Sequence, residues 1–69
     1  MSPQHDKIPA RLKAIRIKKH LTQLELSEKS GVNVNTYARI ERGELKLKPD
    51  TLEALVKALG VESKDILGF

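Results

Sequence analysis

The chain has 69 residues and no cysteine, with 13 Lys and Arg against 9 Asp and Glu, a net charge of +4. That length fits one domain at most, and the missing cysteine excludes disulfides, thiolate zinc sites and cysteine nucleophiles. A pI near 9.6 favours an anionic partner, with nucleic acid the first candidate, although many small soluble domains are mildly basic.

Met1 to Asp6 shows no period, and residues 1–7 read as a flexible N-terminal tail ahead of one domain over 8–69. Ile8, Leu12 and Ile15 recur at helical spacing, with Ala14 and Ile17 beside them. They predict a first helix from about Ile8 to Lys19, with Pro9 in its first turn. No acid occurs from Lys7 to His20, so the opposite side is a basic strip. It reads either as a solvated face or as an edge turned towards phosphate.

Thr22 and Glu25 have the spacing of a capping box, and the second helix is expected over Gln23–Ser30. Gly31 stops it, where a left-handed backbone is cheap. Asn33 caps a third helix that turns Val32, Tyr37 and Ile40 inward and ends near Arg42, ahead of Gly43. Glu44 to Lys48 is a short connection with Leu45 and Leu47 as anchors. Pro49 then opens a fourth helix with Leu52, Leu55, Val56 and Leu59 as its apolar stripe, closed by Gly60. Ser63 caps a last helix, Lys64 to Leu67, closed by Gly68. All four glycines thus fall at predicted helix ends, which favours five short helices and no sheet.

Two short helices joined by a tight turn containing glycine form a helix-turn-helix. In such a unit the second helix enters the DNA major groove, with its N-terminal residues at base edges. Spacing from Tyr37 and Ile40 turns Asn33, Val34, Asn35, Thr36 and Arg39 outward. Asparagine bonds a base edge, arginine pairs with guanine, and an apolar group meets the thymine methyl.

The runs "LTQLELSEKSGVNVNTYARIERG" and "TLEALVKALGV", preceded by "LKAIRIKKHLTQ", resemble the Cro/C1-type (XRE-like) helix-turn-helix family of regulators over about Ile8 to Leu67. The resemblance implies an all-α, compact five-helix, lambda-repressor-like domain that binds double-stranded DNA. It implies base-reading roles for Val34, Asn35, Thr36 and Arg39. It implies phosphate contacts for Gln23, Asn33, Arg42, Lys46 and Lys48. A plain solvated surface is the alternative for Gln23, Val34, Asn35, Arg39, Lys46 and Lys48, and Val34 departs from the polar residue usual at its position. Arg16 and Glu41 match a family ion pair that joins the first helix to the end of the third. Ser27 stands where the family has alanine, its hydroxyl expected to bond back to a carbonyl. Tyr37 replaces an aliphatic core residue, its hydroxyl expected at the surface or on a phosphate.

The implied function is transcription regulation by a repressor-type homodimer on a palindromic operator. Ile66, Leu67 and Phe69 are the expected dimer surface; the alternative is that the first two close the core. Two other uses of the fold stay open, an antitoxin or restriction–modification controller, and a protein-interaction module using Leu24, Leu45, Leu47 and Phe69. No catalytic constellation is visible: there is no glycine-rich phosphate loop, paired carboxylates or nucleophile–base pair. His20 reads as a cation at a helix C-terminus. With His5 and His20 lying 15 positions apart and unpartnered, neither metal nor other cofactor is expected. Aromatic content of 3% argues against stacking modules for single strands. Apolar runs fall far below the roughly 20 residues a bilayer needs. A cytoplasmic protein without membrane contact or a small-molecule ligand domain is the resulting expectation.

Overall fold

The computed structural model describes residues 3–69, with side chains from Lys7 onward. Five helices follow in order: α1 (Pro3–Lys18), α2 (Gln23–Ser30), α3 (Val34–Glu41), α4 (Pro49–Leu59) and α5 (Ser63–Leu67). The described residues contain no strand.

Helix α1 starts earlier than its apolar period implies. The chain is helical from Pro3, so most of the expected tail forms the first turns; Met1 and Ser2 lie outside the described residues. Pro3 takes the first helical position, where a missing N–H costs nothing. Pro9 lies inside the helix instead of in its first turn. Ile17 is also corrected: it is 53% exposed. The inward stripe is Ile8, Leu12 and Ile15, and Ile17 falls off it, five positions from Leu12 and so about 140° around the helix.

The end of α1 has a feature the sequence did not signal. The His20 N–H bonds the Ile17 carbonyl at 2.9 Å, and the Leu21 N–H bonds the Arg16 carbonyl at 3.1 Å. These two bonds make a Schellman closure, whose pivot residue must be left-handed. Here the pivot is His20, at φ 61°, in place of the usual glycine.

Helix α2 has the expected limits. Thr22 Oγ1 accepts from the Glu25 N–H at 3.0 Å, and a Glu25 carboxylate oxygen accepts from the Thr22 N–H at 2.8 Å. Helix α5 corrects the capping assignment. Glu62 precedes it, not Ser63, and the Glu62 N–H donates to Asp65 Oδ2 at 2.9 Å.

Every helix contributes to one core: Leu12, Leu26, Tyr37, Ile40, Leu55, Leu59 and Ile66 are all buried. Helix α1 packs on α3 and α5, and α2 packs on α3 and α4. Around the core, Val32, Leu45, Leu47, Leu52, Val56 and Val61 are partly buried. Leu45 and Leu47 thereby anchor the α3–α4 connection. Among the described residues no helix is long and apolar enough to cross a membrane.

Candidate nucleic-acid interface

The α2–turn–α3 unit is held by local polar bonds. Gly31 turns the chain at φ 78°, and its N–H bonds the Ser27 carbonyl at 2.8 Å. No atom lies within 4 Å of where a Cβ on Gly31 would stand, so backbone conformation alone demands glycine. The Ser27 hydroxyl donates to the Val32 carbonyl. It therefore reaches forward across the turn and not back into its own helix. Ser30, which sequence reasoning passed over, accepts from the Val32 N–H at 3.2 Å. Asn33 Oδ1 accepts from the N–H groups of Asn35 and Thr36 at 2.8 and 3.3 Å. The Asn33 oxygen is thus occupied in capping α3, and its amide nitrogen is the group left to face an anion.

Helix α3 presents the expected residues unequally. Asn35 and Arg39 are exposed and one helical turn apart, so they share a face. Val34 and Thr36 are half-buried and less exposed than either. Val34 precedes the buried Tyr37 by one turn, which draws its side chain partly inward.

A polar hub fastens the far end of α3 to α1 and α2. Glu41 is the acceptor at its centre. Arg16 Nε donates to Glu41 Oε2 at 2.7 Å and Arg16 Nη2 to Oε1 at 3.2 Å, a two-point pairing. Arg16 Nη1 also donates to the Leu21 carbonyl at 2.8 Å. The Gln23 side-chain amide donates to Glu41 Oε1 at 3.0 Å, and the Tyr37 hydroxyl donates to Oε2. The side chains of Arg16 and Glu41 are only 11% and 4% exposed. Burial by itself would push the Glu41 carboxyl up, but the bonds from Arg16, Tyr37 and Gln23 hold it below the usual carboxylate range. Burial and the bond to Glu41 push the Tyr37 phenol above its ordinary value, so it stays a donor. The Tyr37 hydroxyl therefore points neither to solvent nor to a phosphate. Gln23, expected at a phosphate, spends one amide hydrogen on Glu41 and keeps the second.

Beyond α3 the chain turns at Gly43, φ 77°, and the Glu44 N–H bonds the Arg39 carbonyl at 2.9 Å. This folds Glu44 back onto the helix end. Arg42 Nε and Nη2 donate to its two carboxylate oxygens at 2.8 and 3.0 Å. Arg39 Nε stands 3.8 Å from the same carboxylate. Local spacing does not mark Glu44, because the return to Arg39 is made only by the turn at Gly43. Lys46 and Lys48 are exposed on the connection that follows.

The residues assigned to a dimer surface separate. Ile66 is wholly buried within the single chain, out of reach of a second copy, because it closes the core against the other helices. Leu67 is half-buried and Phe69 is 77% exposed.

The sequence profile of the helix-turn-helix family matches residues 12–66, from the middle of α1 to α5. The chain is 41% identical over 58 residues to the immunity repressor protein of Bacillus phage phi105. That match covers 84% of this chain and 40% of the relative, so the chain spans about two fifths of the relative's length. No solved structure gives a significant match. A profile match over most of the chain, on a capped pair of helices with a polar outer face on the second, makes this chain a member of the Cro/C1-type helix-turn-helix family of DNA-binding domains.

Proposed function

We propose that the chain is a repressor-type transcription regulator, acting in the cytoplasm as a homodimer on a palindromic operator, with α3 in the major groove. The observation that carries this reading is the exposure of Asn35 and Arg39 on one face of a helix whose other end is fastened through Glu41 to α1 and α2. A helix so anchored presents its side chains in a fixed frame, which base recognition requires. The similarity to a phage immunity repressor supports the regulatory role. Asn35 and Arg39 read bases, with Val34 and Thr36 adding apolar contact. Lys46, Lys48, Asn33 and the second amide hydrogen of Gln23 meet phosphates, while the Arg42 guanidinium, also expected there, is taken up by Glu44. Leu67 and Phe69 are the parts of the expected dimer surface that remain outside the core. Leu67 also lines an open groove of about 640 Å³ with Ile8, Pro9, Leu45 and Leu47. One recognition helix covers about one half-site, and two-fold pairing doubles the readout.

Duplexes selected by the protein from a random library, and scrambled versions of them, test the assignment. Arg39→Ala and Asn35→Ala should each cost roughly 1–3 kcal/mol of discrimination between the two. Lys46→Ala should weaken both duplexes equally, since phosphate contacts carry no sequence information. An Arg39→Ala variant that loses the same factor on both removes Arg39 from base readout.

A further inference from the structure

Among the described residues, Glu44 is the one acidic group joined to both Arg39 and Arg42 at the end of α3. Its carboxylate takes both donors of the Arg42 fork and stands 3.8 Å from Arg39 Nε. All three side chains are about half exposed, at 52% for Arg39, 55% for Arg42 and 51% for Glu44. Ion pairs this exposed contribute little to folding. The consequence of the cluster lies elsewhere, in what the arginines are able to meet. We propose that Glu44 is a specificity-determining residue: it occupies Arg42 and steadies Arg39, so that α3 gains less from bare phosphate than from base edges.

The inference rests on the reading of α3 as the base-reading helix. Non-specific binding draws nearly all its free energy from Lys and Arg on phosphates. Every phosphate that approaches Arg42 must compete with a carboxylate already paired in two-point geometry, and meets repulsion from Glu44 itself. That penalty falls on phosphate pairing with any sequence. Arg39 is held differently. Its nearest approach to Glu44, Nε to Oε1 at 3.8 Å, is beyond hydrogen-bond distance, so its guanidinium donors remain available to the paired acceptors of a guanine. Steadying the side chain lowers the rotamer entropy lost when it meets that base. The penalty therefore weighs on all duplexes and the gain on the matching one. The backbone supports this assignment: the bond from the Glu44 N–H to the Arg39 carbonyl sets the carboxylate beside that arginine. Glu44 acts through the arginines and is a positioning residue.

The test uses the full chain, a duplex selected from a random library, and its scrambled version. Glu44→Gln keeps the size and removes the charge. Glu53→Gln, an exposed acid on α4, controls for net charge alone. Glu44→Gln should bind the scrambled duplex about two- to fivefold tighter, the range that exposed ion pairs span. The logarithmic salt slope on that duplex should steepen by about one, the value of one added phosphate contact. The ratio of selected to scrambled affinity should fall by a similar two- to fivefold. In an Arg39→Ala background the fall in this ratio should vanish, and in an Arg42→Ala background the change in salt slope should vanish. If Glu44→Gln and Glu53→Gln shift both duplexes alike, the effect is general charge and the inference is overturned. It is equally overturned if the ratio is unchanged. A wild-type protein that binds duplex without discriminating sinks the base-reading assignment first, and this inference with it.

Discussion

Glu41 collects a guanidinium, a phenol and a side-chain amide on one carboxylate that is 4% exposed. A buried pair of this kind is a weak source of net stability, because desolvation offsets the attraction. Removing one partner is a different matter, since the other is left charged and buried. Glu41→Gln should therefore cost about 3 kcal/mol near neutral pH, measured by urea unfolding. The pH dependence has a definite sign. The folded carboxyl titrates below its unfolded value, so its contribution is complete above the usual carboxylate range and is lost as pH falls through that range. Stabilities of the wild type and Glu41→Gln should converge between about pH 5 and pH 2. A gap that stays constant across that window would mean the hub does not stabilise the ionised form.

Among the elements, the helix ends differ in their chemistry. Gly31, Gly43, Gly60 and Gly68 all stand at positive φ, as their places in the sequence require. His20 performs the same closure at the end of α1 with a side chain attached. A left-handed residue with a Cβ costs roughly 1–2 kcal/mol, and glycine returns part of that through its freer unfolded state. His20→Gly should stabilise the domain by about 0.5–1 kcal/mol, a rise of several degrees in Tm by calorimetry. Gly31→Ala should do the reverse by about 1 kcal/mol, with strain and not a clash as the cause. A destabilised His20→Gly would show that the imidazole makes a contribution larger than the strain it imposes.

For the whole molecule, the core divides the C-terminal apolar residues into two kinds. Ile66 is part of the packing that holds α1 and α5 together, and a charge there should unfold the domain. Phe69 is outside that packing. Phe69→Glu should leave the thermal melt within about 0.5 kcal/mol of wild type, as surface changes do. If the homodimer uses this end, the variant should sediment as a monomer at concentrations where the wild type pairs. Operator binding should then become steeper in protein concentration. A wild type that stays monomeric at high micromolar concentration and reads one half-site with full specificity overturns the dimer.

Helix number, order and most boundaries were legible in the sequence because capping chemistry is local. Thr22, Gly31, Asn33, Pro49 and Gly60 each act on backbone groups within a few positions of themselves. The inward stripes were legible for the same reason, since a helix turns about 100° per residue whatever surrounds it. The start of α1 escaped because residues 3–7 carry no apolar period, and the left-handed histidine escaped because its residue type does not demand that conformation. Other features depended on which surfaces meet. Val34 is half-covered, Ile66 lies inside, and the Tyr37 hydroxyl and Gln23 amide converge on Glu41, which a family match had paired with Arg16 alone. Glu44 depends on the turn at Gly43, which carries its carboxylate back to Arg39 and Arg42. Local signals specify what a segment becomes; the partners of a side chain follow only when packing sets the distances between segments.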